Sequence, residues 1–472
     1  MQPVLSVEEM RAADAAALEH VDQAVLVERA GRAVALASLD LLGGAYGRRI
    51  VVVAGKGNNG NDGRVAADLL RTRGAHVRVI AADDAMTTLP TADLVIDAAY
   101  GTGFRGAFDA PRIDDATPVL AVDIPSGVDG NTGAVSGRSL RATRTVTMAA
   151  WKPGLLQGDG RTLAGQVQVA DIGVDPGSAQ IGLVEEADVA RLLPERRRDA
   201  HKWESAVAVV AGSPGMEGAA VLSAQGASHA GAGMVRLMHP SANEAFPPAG
   251  PWPIESVRVP LPARGWAEGV LSAIDRCRVV VVGPGLGRDE PTRAEVRHLV
   301  ARCPVTVILD ADGLAAFDDP DQLREAVAQG SRPVVITPHD GEYRALLGEA
   351  PGADRIAAAR RLAAATGAVT LVKGSLTVIA DPSGAAGGPG VLLAAAGSSV
   401  LATAGTGDVL SGIVGAFVAR GLPPQVAAAL AAHVHGAAAG AGHAEGLVAG
   451  DLPSLVAAWL SAVMAVHESG AG

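Results

Sequence analysis

Two kinds of hydrophobic patterning alternate along this chain: amphipathic stretches with apolar residues three or four apart, and short continuous apolar runs ending in glycine or an acid. Ser6 to Leu42 has the helical spacing and predicts one or two helices, with Ser6 as N-cap and Glu9 three residues on, as in a capping box. Four runs follow: IVVVAG at 50–55, VRVIAA at 77–82, LVIDAA at 94–99 and VLAVDIPSG at 119–127. Unbroken β-branched runs predict parallel strands buried on both faces, with ligands at their C-terminal ends. A helix over Arg64 to Arg73 completes a right-handed βαβ unit.

After Asp171 the pattern decays through GVDPGSAQ into the charged run PERRRDAHKW at 194–203, where a linker is expected. The series restarts with AVAVVAGS at 206–213, RVVVVGPGLG at 278–287, VTVILDADG at 305–313, PVVITPHDGE at 333–342 and AVTLVKGS at 368–375. Ala/Gly-rich helices after Gly405 close this second layered fold, and SGAAGGPG at 383–390 is expected to be a hairpin loop or turn. The fold class is α/β, in two domains, 1–198 and 199–472.

Composition narrows the function classes. A net charge of −11 argues against a nucleic acid as main partner, leaving room for local basic sites that bind phosphates. Cys277 and Cys303 lie in no metal-binding or redox spacing, so free thiols in a reducing cytoplasm are expected. The N-terminal MQPVLSVEEMRAAD has acids and no apolar core, unlike a signal peptide. Val426 to Ala441 is apolar but Ala/Gly-rich and carries His433 and His435, which predicts a buried helix and no membrane span. Of 39 basic residues only Lys56, Lys152, Lys202 and Lys373 are lysines, and each adjoins a glycine-rich motif or the expected domain start.

Chemistry concentrates in the loops. In AGTGDVLSG, 404–412, Gly405 and Gly407 allow a tight turn that presents N–H groups to an anion at a helix start. Asp408 then stands where a base can take a proton from a hydroxyl attacking phosphate. In the first half, GKGNNGNDG at 55–63 departs from the dinucleotide fingerprint: its amides and carboxylate suit hydroxyls or a hard cation, and its backbone N–H groups suit phosphate. Asp97 with GTGFRG at 101–106, and Asp123 with IPSG, end two neighbouring runs, so three such loops meet at one sheet edge.

GKGNNGNDG, AYGTGFRG and VDIPSG together resemble the epimerase domain of the NAD(P)H-hydrate repair enzymes. GSPGMEGAAVLSA, LDADGL, TPHDGE, VKGS and ATAGTGDVLSG resemble the dehydratase domain of the same family, and the resemblance covers almost the whole chain. One departure is Asn61, where the family usually has glycine; asparagine tolerates left-handed geometry, so the loop is expected to survive. The resemblance implies a Rossmann-like parallel-sheet domain followed by a ribokinase-like one. It implies that the first interconverts the R and S hydrates of NADH and NADPH, and that the second dehydrates the S form at the expense of ADP, giving AMP and phosphate.

By the same matching the hydrate would lie against Asn58, Asn59, Gly60, Asn61 and Asp62, then Gly101, Thr102, Gly103, Phe104, Arg105, Gly106 and Ala107, and Asp123, with K+ near Asn59, Asp97 and Ser126. Asp123 is the candidate acid/base group; Lys152 is a second candidate or an ion-paired lysine. In the second domain Ala219, Gly285 and His339 would touch the hydrate, Asp408 would be the base, and Lys373, Gly374, Ser375, Leu376, Thr377 and Gly407 would meet the nucleotide. Glu342 either helps hold Mg2+ through water or caps a helix, and Asp310 and Asp312 are equally open. His433, His435 and His443 lack metal spacing and read as core or helix-end residues.

The family further implies a homo-oligomer of four or eight chains acting on small molecules, with no nucleic-acid or membrane partner. Two alternatives remain. GTGD before a helix also serves a vitamin or sugar kinase, and domains like the first half also occur as non-catalytic binding modules.

Overall fold

The computed structural model describes residues 1–84, 87–241, 252–384 and 388–470. The chain divides into two compact units, Gln2–Ile181, and Gly182–Gly472 together with Met1.

In the first unit α1 (Val7–Leu18) and α2 (Gln23–Leu42) precede β1 (Arg49–Ala54), α3 (Asn58–Thr72), β2 (His76–Ala81), β3 (Leu94–Ala98), β4 (Val119–Val122), β5 (Arg144–Met148) and β6 (Gln166–Ala170). The expected capping box is present: Glu9 N donates to Ser6 Oγ at 3.1 Å and Ser6 N to Glu9 Oε2 at 2.8 Å. The strands lie in the order β2-β1-β3-β4-β5-β6, all parallel. Alternate residues of one strand serve two cores: Val52, Ile96 and Leu120 pack with Val34 of α2, and Val51, Val95 and Ala121 fill the opposite face. That double burial is why the runs are continuously apolar.

The strand order reverses between β1 and β3, which opens a crevice beyond their carboxyl ends. α3 starts at Asn58, so Asn58 to Asp62 form its first turns where a loop was expected. Asn61 is accordingly helical and exposed, not left-handed, and asparagine in place of glycine there favours the helix. Gly60 permits the entry: a Cβ on it would lie 2.0 Å from the Gly55 carbonyl oxygen.

The second unit contains β7 (Ala206–Val210), α4 (Glu217–His229), β8 (Met234–Ser241), β9 (Val257–Pro262), β10 (Val279–Val282), β11 (Thr306–Leu309), β12 (Val334–Ile336), α5 (Asp340–Leu347), β13 (Val369–Val372), β14 (Thr377–Ala380), β15 (Val391–Ala394), α6 (Thr406–Ala419) and α7 (Pro424–Gly440). The order is β15-β14-β13-β12-β11-β10-β7-β8-β9. The series β9-β8-β7-β10-β11-β12-β13 is parallel throughout, and β14 and β15 add antiparallel. Here the order reverses between β7 and β10. From Val409 to Ala419, α6 is buried all round, and α7 is the expected core helix. Among the described residues no helix is long and apolar enough to cross a membrane.

Six of the strands, β5, β6, β8, β9, β14 and β15, match none of the continuous apolar runs named above. Pro260 and Pro262 break up β9, which the sheet accommodates because it is an edge strand. The segment before it, 242–251, lies outside the described residues, as does 385–387 within the expected turn between β14 and β15. The units part at 181/182, earlier than the boundary expected at 198/199. Val184, Val189 and Leu193, set among charged neighbours, join the core of the second unit.

Candidate active sites

A cavity of about 510 Å3 occupies the crevice of the first sheet. Asn58, Asn59 and Asp62 reach it from α3, Gly101 to Phe104 from the loop after β3, and Asp123 from the end of β4. Arg105, Gly106 and Ala107 do not line it, nor do Gly60 and Asn61. Asp123 has φ 67°, an unusual backbone for a side-chain-bearing residue, and it binds three donors through Oδ1. Lys152 Nζ lies at 2.6 Å, Thr147 Oγ1 at 3.2 Å and Met148 N at 3.3 Å. Lys152 is itself 1% exposed and also donates to Thr147 Oγ1 and the Met148 carbonyl, so it is a fixed buried ammonium. Burial, reinforced by the nearby Asp123 charge, pushes Asp62 up to about 8.

Asn59 and Asp123 converge on Gly101: a Cβ there would stand 3.4 Å from the Asn59 amide and 3.6 Å from Asp123 Oδ2. Asn59 Nδ2 is buried with no partner among the described residues. Asp97 is buried and accepts from Ser126 Oγ at 2.6 Å and Ser126 N at 2.9 Å. Burial raises its pKa against those hydrogen bonds, and no described cation pairs with it. Arg11 and Asp14 of α1, and Gln23 of α2, whose amide donates to Asn58 Oδ1 at 2.8 Å, complete the wall. Nothing in their helical spacing separates them from other polar positions.

In the second unit acids and one ammonium gather beyond the carboxyl ends of the strands. Lys373, after β13, lies 2.6 Å from Asp310 Oδ1, after β11, and the same oxygen accepts from Thr337 Oγ1 at 2.6 Å. Asp310 Oδ2 is buried without a partner among the described residues. A Cβ on Gly407 would lie 3.2 Å from Lys373 Nζ, so the ammonium borders the start of α6. Gly405, the N-cap, has φ 91°. Burial lowers the Lys373 pKa, but the charges of Asp310 and Glu342 outweigh it and raise the pKa overall. Asp408 is pushed up to about 7, mainly by burial and then by Asp310.

Glu342 caps α5: its Oε2 accepts from His339 N at 2.9 Å, while His339 Nδ1 accepts from Gly341 N and Glu342 N. Burial also raises its pKa. At the strand-order reversal, Ala219 and Gly285 meet, since a Cβ on Gly285 would be 3.0 Å from that of Ala219. Asp312 accepts from Arg288 Nε at 2.7 Å and Gly287 N at 3.0 Å. Lys373 to Leu376 form the turn from β13 into β14, which starts at Thr377, with Leu376 buried and Ser375 exposed. Arg355 holds that turn by donating to the Lys373 carbonyl at 2.5 Å, and a Cβ on Gly374 would meet its guanidinium at 2.6 Å. Burial keeps His435 neutral, at about 4.

Two polar sites, each at the strand-order reversal of its own sheet, find their match among known proteins. A relative from Salinibacter ruber, called bifunctional NAD(P)H-hydrate repair enzyme Nnr, is 36% identical over 91% of this chain and 90% of its own. The chain belongs to the bifunctional NAD(P)H-hydrate repair enzyme family. A Mycobacterium tuberculosis member with the same name is 39% identical over 91% of this chain and 92% of its own. The family models divide it as the fold does: YjeF-related protein N-terminus matches 23–89 and 81–154, and NAD(P)H-hydrate dehydratase matches 207–460. A ribokinase-like superfamily protein from Enterococcus faecalis, 20% identical with TM-score 0.51, covers 60% of this chain and 96% of its own, and places the second unit in that fold.

Proposed function

We propose that the first unit epimerises the R and S hydrates of NADH and NADPH and that the second dehydrates the S hydrate with ADP. Family membership supports the pair of activities, and the arrangement of Lys373, Gly407 and Asp408 carries the second.

In the first unit, inverting C6 breaks its C–O bond on one face and remakes it on the other. The departing hydroxyl takes up a proton and the incoming water gives one up. Asp62, held protonated at neutral pH, suits the first task; Asp123, ion-paired with Lys152, suits the second. K+ would be held by Asn59, Asp97 and Ser126, a reading supported by Asp97 being a buried carboxylate without a cationic partner among the described residues. When bound, it would fix the oxygen ligands that border the hydrate.

In the second unit Asp408 takes the proton of the C6 hydroxyl as that oxygen bonds to the terminal phosphorus of ADP, and the phosphorus–oxygen bond to AMP breaks. The Gly405 to Gly407 amides steady the transferring group. Phosphate then leaves C6 with the C–O electrons, assisted by the ring nitrogen, and a neighbouring carbon loses a proton to give NAD(P)H. Mg2+ accompanying the nucleotide would be held by Glu342 through water, and the unpartnered Asp310 Oδ2 suits a divalent ion. Ala219, Gly285 and His339 would border the hydrate, and Lys373 to Thr377 the nucleotide. The enzyme would work in the cytoplasm as a homo-oligomer of four or eight chains, a setting that suits the buried, unpaired thiols of Cys277 and Cys303.

Incubating the protein with mixed NADH hydrates and ADP should give NADH and AMP in equal amounts. Phosphorylated vitamin formed with ATP, and no NADH, would instead establish a kinase. Since Asp408 must be ionised to act, kcat/KM for dehydration should fall as pH drops below about 7, approaching tenfold per unit. A flat profile from pH 6 to 8 would exclude it as the base.

Lys373→Ala should raise the ADP requirement and slow phosphoryl transfer. It also strands Asp310, which is 1% exposed, so a loss of roughly 3 kcal/mol is expected in denaturant unfolding. Adding Asp310→Asn should restore stability without restoring the ADP response. Unchanged ADP dependence would place the nucleotide elsewhere.

A further inference from the structure

The sheet edge opposite Asp408 is also built for an anion. A cavity of about 1100 Å3 opens there. Ser205, Gly233, Arg278 and Pro333 line it just before β7, β8, β10 and β12, and Thr306 lines it at the start of β11. These strands are neighbours in the sheet, and Asp310, His339 and Lys373 follow the opposite ends of β11, β12 and β13. The two sites are therefore separated by the length of a strand, roughly 15 Å.

Its wall is cationic in a chain of net charge −11. Arg196, Arg197, Lys202, Arg278, Arg332 and Arg420 line it against Glu195 and Glu204. Among the described residues only Arg197 of these six is ion-paired, to Asp199 at 3.3 Å and Glu204 at 3.2 Å. Arg196 donates to the Gly231 carbonyl at 2.8 Å, Arg332 to that of Pro304 at 3.3 Å, and Arg420 to that of Pro194. Carbonyl partners fix a guanidinium without cancelling its charge. Burial, and then the charge of Arg196, hold Arg420 down to about 10, so the gathered cations work against one another. The C-terminal end of α6 offers a structural reason for Arg420. It gives none for Arg278 and Arg332, exposed at strand starts.

We propose that this cavity is a second, non-catalytic site for a phosphate-bearing anion of nucleoside diphosphate size. Arginine forks match phosphate oxygens, and the volume admits a nucleotide. The anion is either a nucleotide or a free polyphosphate.

Titration calorimetry of the full chain with ADP tests this. Arg278→Glu with Arg332→Glu should remove one class of ADP site per chain, weakening it at least ~100-fold, about tenfold for each charge-assisted contact. Arg278→Gln with Arg332→Gln, which adds no charge, should weaken the same site at least ~10-fold, and Arg278→Lys with Arg332→Lys should keep it. Inorganic pyrophosphate displacing ADP from that site would assign it to phosphate groups alone, and failure to displace would assign it to the nucleotide. Isotherms unchanged by charge reversal in folded protein would overturn the proposal, whatever happens at the Asp408 site.

Discussion

Asp408→Asn should lower NADH formation from the S hydrate by at least ~100-fold while leaving ADP binding nearly intact, the loss expected for removing a positioned general base. The substitution keeps the size and shape of the side chain. What it removes is a carboxylate that burial and the Asp310 charge push up to about 7, near the pH at which a base is half-ionised and strongest in effect. Because Asp310 and Glu342 also press on this group, Asn relieves a like-charge repulsion, and the variant should unfold at the same or higher denaturant concentration than the parent. Epimerisation should continue unchanged. Single-turnover measurement with saturating ADP separates the chemical step from binding, and dehydration within a few-fold of the parent would remove Asp408 from the base role.

The strands that matter most were legible because a parallel sheet buries both faces, leaving long β-branched runs such as IVVVAG and RVVVVG that resemble nothing else in the chain. The Ser6 box and the GTGD turn were legible because their chemistry is local: each needs particular residues at fixed short spacing. Asn58 to Asp62 misled in the opposite sense. Their turn-prone composition predicts a loop, but close packing of Gly60 on the Gly55 carbonyl lets the helix start there.

Long-range pairings left no such trace. Lys152 meets Asp123 across 29 residues and Lys373 meets Asp310 across 63, and only the scarcity of lysine marked either as unusual. Asp14 and Gln23 enter the first cavity from helices whose pattern shows merely that one face is polar. The basic cavity escaped for a similar reason, since its arginines come from a charged linker, two strand starts and a helix end scattered between Arg196 and Arg420.

Asp123→Asn should separate the two activities cleanly. The dehydratase residues all belong to the second unit, so turnover of pure S hydrate should match the parent. With mixed epimers the parent should convert everything to NAD(P)H in one rapid course. The variant should consume S and then slow to the uncatalysed epimerisation of R, a drop of at least ~100-fold in that phase if Asp123 moves the proton. The substitution also leaves Lys152, buried and 2.6 Å from the lost charge, without its carboxylate partner. A stability loss of about 3 kcal/mol is therefore expected. Lys152→Met on top should recover part of that stability and none of the epimerase activity, which distinguishes a chemical role from a structural one. Resolving R and S by chromatography over time reads the result directly. Rapid loss of R in the variant would remove Asp123 from the mechanism, and slow loss of R in the parent would mean that the first unit is no epimerase.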